Sequence, residues 1–137
     1  MWLSEKSAQA GIEPVSHADV CEITIGGGRA AGVSDGEYRE LDVAAPGGYY
    51  WLPEVGDEAL MIDCADGSRV VSGRLNNAAS AGISPGEVYI KSKAASVYMR
   101  NDGSMIINGN ISHSGDINIS GEVTITGTLI VNGKILG

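Results

Sequence analysis

The chain has no phenylalanine, and its aromatics are limited to five Tyr and two Trp. Aromatic side chains fill much of the volume of a large globular core, so a small or repetitive core is expected instead. Basic residues are also scarce, with nine Lys and Arg against 17 Asp and Glu for a net charge of −8. Phosphate recognition needs clustered cations, so nucleic acid is not an expected partner, and neither is an anionic lipid surface held by charge. No stretch approaches the roughly 20 apolar residues that cross a bilayer as a helix. The opening Met1-Trp2-Leu3-Ser4-Glu5-Lys6 has no apolar run behind it, so synthesis in the cytoplasm without a signal peptide is expected. The two cysteines, Cys21 and Cys64, fall in phase with Ile23 and Ile25 and with Leu60 and Ile62 on expected strands. Both read as buried free thiols rather than a disulfide or a metal pair.

Glycine, by contrast, is abundant at 20 residues, and it organises the last quarter of the chain. Gly103, Gly109, Gly115, Gly121, Gly127 and Gly133 recur every six residues. Between them the odd positions are almost all apolar: Met105, Ile107, Ile111, Ile117, Ile119, Val123, Ile125, Leu129, Val131 and Ile135. The even positions are mostly Ser, Thr, Asn, Asp, Glu or Lys. Strict alternation predicts β-structure with one buried and one wet face, and a glycine at fixed offset predicts a recurring kink or close approach. The segment has no second apolar stripe to bury this one against. A single-chain β-helix would have only about two coils, fewer than the roughly three repeats needed for independent stability. An intertwined trimeric prism fits the length better: each of three chains supplies one wall, and the odd positions meet on the axis. A homotrimer is therefore expected.

Charge divides the chain at the same place. Residues 1–85 carry 13 acidic and five basic side chains, whereas 86–137 carry four of each. The expected layout is an arm or docking segment over 1–16, a small barrel over 17–75, a linker rich in Asn, Ala, Ser and Gly over 76–86, and the β-repeat over 87–137. Strands are expected at 19–25, 29–33, 37–44, 58–64 and 68–75, with turns at Gly26-Gly27-Gly28, Ser34-Asp35-Gly36 and Asp66-Gly67. Five short strands joined by tight turns is small-barrel spacing. Two further strands, 87–92 and 95–101, lead through Asn101-Asp102-Gly103 into the hexads.

The stretches Leu52-Pro53-Glu54-Val55-Gly56-Asp57-Glu58-Ala59-Leu60 and Val70-Val71-Ser72-Gly73-Arg74-Leu75, placed before a glycine-spaced β-repeat, resemble the central spike proteins of contractile phage tails and related injection machines. These are the baseplate assembly protein V type, distantly similar to the spike of type VI secretion systems. The resemblance spans roughly residues 17–137 and implies an all-β protein, an N-terminal OB-fold followed by a C-terminal intertwined triple-stranded β-helix. It further implies location in a virion or injection-particle baseplate, a tail hub protein on the N-terminal side, and transient contact with a target membrane that the rod pierces. The function implied is structural, not enzymatic. Some members carry a His-x-His pair near the apex whose three copies bind iron; here Ile111-Ser112-His113 supplies only one histidine. Others continue into a folded apex or a lysozyme domain, whereas this sequence ends on Ile135-Leu136-Gly137. A separate tip-capping protein is then implied, with Ile130 and Leu136 either contacting it or packing on a neighbouring chain of the same trimer.

His113 is the one non-aliphatic, non-glycine residue at an odd position of the hexads. In a trimer three imidazoles would converge on the axis and hold a metal ion, or share a buried water or anion; in either case the role is structural. Apparent catalytic motifs weaken on inspection. Gly26-Gly27-Gly28-Arg29-Ala30-Ala31 fits a dinucleotide fingerprint, but Gly32 and Gly36 follow too soon for a helix. His17 and Asp19 have no nucleophile tied to them by spacing. Two other readings stand against the spike. A hexapeptide-repeat acyltransferase also forms trimers, but needs more coils and a histidine facing a groove between subunits. A fibre or adhesin module would bind glycan through Tyr49, Tyr50 and Trp51.

Overall fold

The computed structural model describes residues 17–76 and 81–136; the expected arm over 1–16 lies outside them. Two compact units divide at Gly82 and Ile83. The protein is all-β, and no helix among the described residues is long and apolar enough to cross a membrane.

The first unit is a closed barrel of five strands. They are β1 (Ala18–Ile25), β2 (Arg29–Val33), β3 (Glu37–Ala44), β4 (Glu58–Asp63) and β5 (Arg69–Arg74), in the order β1-β2-β3-β5-β4. β1 pairs antiparallel with both β2 and β4, which closes the ring, and β3 runs parallel to β5. The arrangement is compatible with an OB-like barrel. Closure leaves no open edge, so this unit satisfies its own backbone. Its interior is narrow and filled by small and aliphatic side chains: Cys21, Ile23, Ala30, Leu41, Ala59, Met61 and Val71, with Tyr38, Val43 and Trp51 packed against them. Crowding inside explains one glycine directly. A Cβ on Gly32 would lie 2.9 Å from the Cys21 sulfur. Cys21 is buried as expected, but Cys64 is not. It falls just past β4, where its N–H donates to the Ser68 carbonyl at 2.8 Å to open a turn, and it is half-buried at the barrel rim.

The 53–57 loop braces the outside of β1. Ile23 donates to the Asp57 carbonyl and Gly56 donates to the Ile23 carbonyl, each at 2.8 Å. Gly27 donates to the Pro53 carbonyl at 3.1 Å, and a Cβ on Gly26 would come within 2.5 Å of that same oxygen. Asp57 ties the assembly together. Its side chain, 12% exposed, accepts from the Glu54 N–H at 2.9 Å and from the Arg74 guanidinium at 3.1 Å. The structure makes it the joint between the 53–57 loop and β5.

The second unit begins as an antiparallel meander of β6 (Val88–Lys91), β7 (Ser96–Met99) and β8 (Met105–Asn108). The Asp102-Gly103-Ser104 turn reproduces the Asp66-Gly67-Ser68 turn of the barrel. In each, the Asp Oδ1 accepts from the Ser N–H at 2.9 Å and from its hydroxyl at 2.6 Å, and the glycine has φ near +85°. From residue 110 to 128 the chain forms no ladder with itself. It then closes a hairpin of β9 (Leu129–Val131) and β10 (Lys134–Leu136).

Asp57→Ala leaves the Glu54 N–H and the Arg74 guanidinium without their partner. A loss of about 1–3 kcal/mol is expected, read as a lower denaturant midpoint for the Trp51 fluorescence transition.

Candidate functional site

The functional surface is built from apolar side chains that the chain does not cover. In the β6–β8 meander the cross-strand rows are Val88–Met99–Met105 and Ile90–Val97–Ile107. Alternation along each strand puts these six on one face, and all but the half-buried Val97 are exposed. A shallow apolar groove lined by Ile90, Val97, Ile107, Ala95 and Gly109 runs along this face. The opposite face carries Tyr89 and Tyr98 in an edge-to-face pair with centroids 5.3 Å apart, and Lys91 above the Tyr89 ring. Ile106, opposite Tyr98, shares that face and is 40% exposed.

The same stripe continues into the hexads. Met105, Ile107, Ile111, Ile117, Ile119, Val123 and Ile125 are between 46% and 70% exposed. Val131 and Ile135 are exposed and Leu129 is half-buried; the expected common stripe ends at Val131, because the β9–β10 register sets Ile135 opposite Ile130, on the face away from Leu129 and Val131. Residues expected at a trimer core thus lie open on the single chain. Of the tip positions, Ile130 is exposed, and the Leu136 side chain lies outside the described residues. His113 is exposed on the single chain, with its ring near the Gly115 backbone, and no cluster of metal ligands occurs among the described residues.

Backbone geometry sorts the evenly spaced glycines into two kinds. Gly109, Gly115, Gly121 and Gly127 have φ between 115° and 135°, a region that side-chain-bearing residues rarely enter. Gly103 and Gly133 have φ of 86° and 75° and sit in turns of the β7–β8 and β9–β10 connections. The repeat of six is unbroken in sequence, but its conformational repeat covers only the inner four.

Other candidate chemistry is modest. On the barrel, Asp19 accepts from the Ser34 hydroxyl at 2.7 Å, Asp35 accepts from the Tyr38 hydroxyl, and Arg69 pairs with Asp63 at 2.6 Å while lying 4.4 Å from the Tyr38 ring centroid. The Tyr38 and Ser34 hydroxyls hold the Asp35 carboxyl below the usual carboxylate range. Every acid there has a donor, which describes a satisfied surface network rather than a poised base. In the aromatic loop Trp51 packs on the barrel core, leaving Tyr49 and Tyr50 exposed. His17, whose carbonyl accepts from the Asp63 N–H at 2.8 Å, continues the β1–β4 pairing by one step.

Known protein families and curated proteins provide no match to this chain.

Glu87 anchors the entry to the second unit. Its carboxylate accepts from the Ser84 N–H at 2.9 Å, from the Tyr98 hydroxyl, and from the Asn101 N–H at 3.3 Å. The Ser84 N–H first, then the Tyr98 hydroxyl, pull its pKa below the ordinary value of 4.5. A lowered folded-state pKa gives stability that is complete above the unfolded value and fades as pH falls through the folded one. The Ser104 hydroxyl and N–H lower Asp102 in the same direction. Acidification below about pH 4.5 is expected to loosen the β6–β8 meander, with Glu87→Gln removing part of that dependence. NMR of the Tyr98 ring across this range checks it.

Proposed function

We propose that this chain is the structural central spike of a contractile tail or injection-machine baseplate, a homotrimer whose function is mechanical. In this reading the barrel is an OB-fold that docks under a tail hub protein. The hexads of three chains wind into an intertwined triple-stranded β-helix that pierces the target envelope on contraction.

The observation that carries the reading is the exposed, alternating apolar stripe, in phase with four glycines of matching unusual φ, whose stretch from 110 to 128 joins no ladder among the described residues. Such a stripe has one symmetric solution: identical stripes facing one another across an axis.

The division of labour between the units follows from charge and closure. The barrel is closed and acidic, and so suits docking without strand exchange. Residues 86–137 balance four acids with four bases, so three copies of this segment can approach with little mutual repulsion. Stacked ladders about a dry aliphatic axis resist bending, and a wound chain cannot peel away without breaking many contacts at once.

The purified protein is expected to have a mass of three times 14.1 kDa, about 42 kDa, by light scattering. Ile119→Asp with Ile125→Asp is expected to give 14.1 kDa monomers with the Trp51 transition intact. A wild type that is a monomer would sink the spike reading.

In the trimer His113 faces the axis, where three imidazoles share a water, an anion or a metal ion. His113→Ile replaces three buried polar groups with the aliphatic type found at the neighbouring repeats, so a higher melting temperature is expected. A lower one, together with metal bound to the wild type by elemental analysis, assigns the position to a cation.

A further inference from the structure

The inner hexads are nearly interchangeable. Two places after each repeat glycine stand Ile111, Ile117, Val123 and Leu129; four places after stand His113, Ile119, Ile125 and Val131. Sliding one chain by six residues against its neighbours therefore exchanges aliphatic for aliphatic everywhere except at His113. Pattern alone specifies register weakly in such a strand array, so something outside the pattern has to fix it.

The β9–β10 hairpin is outside the pattern. Asn132 and Gly133 have φ of 46° and 75°, the two successive positive values of a two-residue I′ turn, and Val131 pairs with Lys134 across it. Ile130 pairs with Ile135, so both project from one face, at 62% and 70% exposure. Leu129 and Val131 belong to the other face and continue the stripe. Among the described residues the hairpin pairs with no third strand. A lone two-stranded hairpin is marginal in water, and this one has Ile130 and Ile135 on one face and Leu129, Val131, Lys134 and Leu136 at register positions of the other.

We propose that the hairpins of three copies pack on one another and act as a clamp that sets the register of the rod. This rests on the homotrimer reading. A second copy is the fitting occupant for two reasons. Any chain that covers the stripe through Leu129 and Val131 brings its own hairpin to the same level. The segment from 128 to 136 also carries a single charge, Lys134, and so offers nothing to attract a charged partner. In correct register three hairpins meet at one height and bury Ile130 and Ile135. A slip of six sets one hairpin against open hexad and leaves those pairs wet.

The test is refolding of the full chain from guanidinium. Wild type is compared with Ile130→Ser/Ile135→Ser, which keeps the turn, and with Gly133→Val, which forbids the turn but keeps both isoleucines. Light scattering reports mass, and hydrogen exchange over 111–131 reports register. Wild type is expected to return as one trimer with a single exchange population. Both variants are expected to lose trimer yield by about ten-fold, or to return trimers with several exchange populations. If they form no trimer while Trp51 keeps its folded emission, the hairpin is required for assembly and the proposal stands. If both refold with wild-type yield and a single population, the clamp is overturned and the Ile130 face is free for another protein. A monomeric wild type removes the trimer itself, an outcome its mass alone reveals.

Discussion

The controlling constraint is an apolar stripe that the described residues leave uncovered. A closed barrel can hide its interior by bending one sheet on itself, as β1 does in pairing with both β2 and β4. The hexads form no such closed ladder among the described residues, and Ile117 and Ile125 stay exposed. Burial of one such side chain is worth about 1.5–3 kcal/mol, and the stripe holds about ten of them. Left wet, it would bring about aggregation rather than a free rod.

The two units answer opposite demands with different means. The barrel is fixed by local closeness: Gly32 against Cys21, Gly26 against Pro53, and Asp57 reaching Arg74 across the 53–57 loop. The two stretches that carry the family resemblance are the ones this ion pair joins, one supplying Asp57 and the other Arg74. The second unit spends its polar contacts at its entry, around Glu87 and the Asp102-Gly103-Ser104 turn, and has few beyond Asn110. Its order further along depends on what lies opposite.

Strand placement was legible in the sequence because period-two alternation and Gly, Asp and Ser turns mark it locally; β2 and β3 fall on the expected residues. The order of strands around the barrel was not, since the parallel β3–β5 pairing joins residues far apart in sequence. Cys64 was misplaced because alternation does not say where a strand ends. The β9–β10 hairpin was missed although Asn132-Gly133 is a strong turn signal. The six-residue period claimed Gly133 for the repeat, and only φ separates it from Gly127. Likewise Gly103 follows an aspartate and precedes a serine, the same triplet that turns the barrel at Asp66. Parity located the stripe as far as Val131 but not at Ile135, which the turn at Asn132-Gly133 carries to the face of Ile130.

Gly109, Gly115, Gly121 and Gly127 share a backbone state that mirror-image sterics deny to other residues. Insertion or loss of one to five residues would move the next glycine out of phase with its apolar neighbours. Gain or loss of a whole hexad would preserve both phases. The repeat segment can therefore lengthen or shorten during descent only in whole steps of six, with its alternation and its glycine phase both kept.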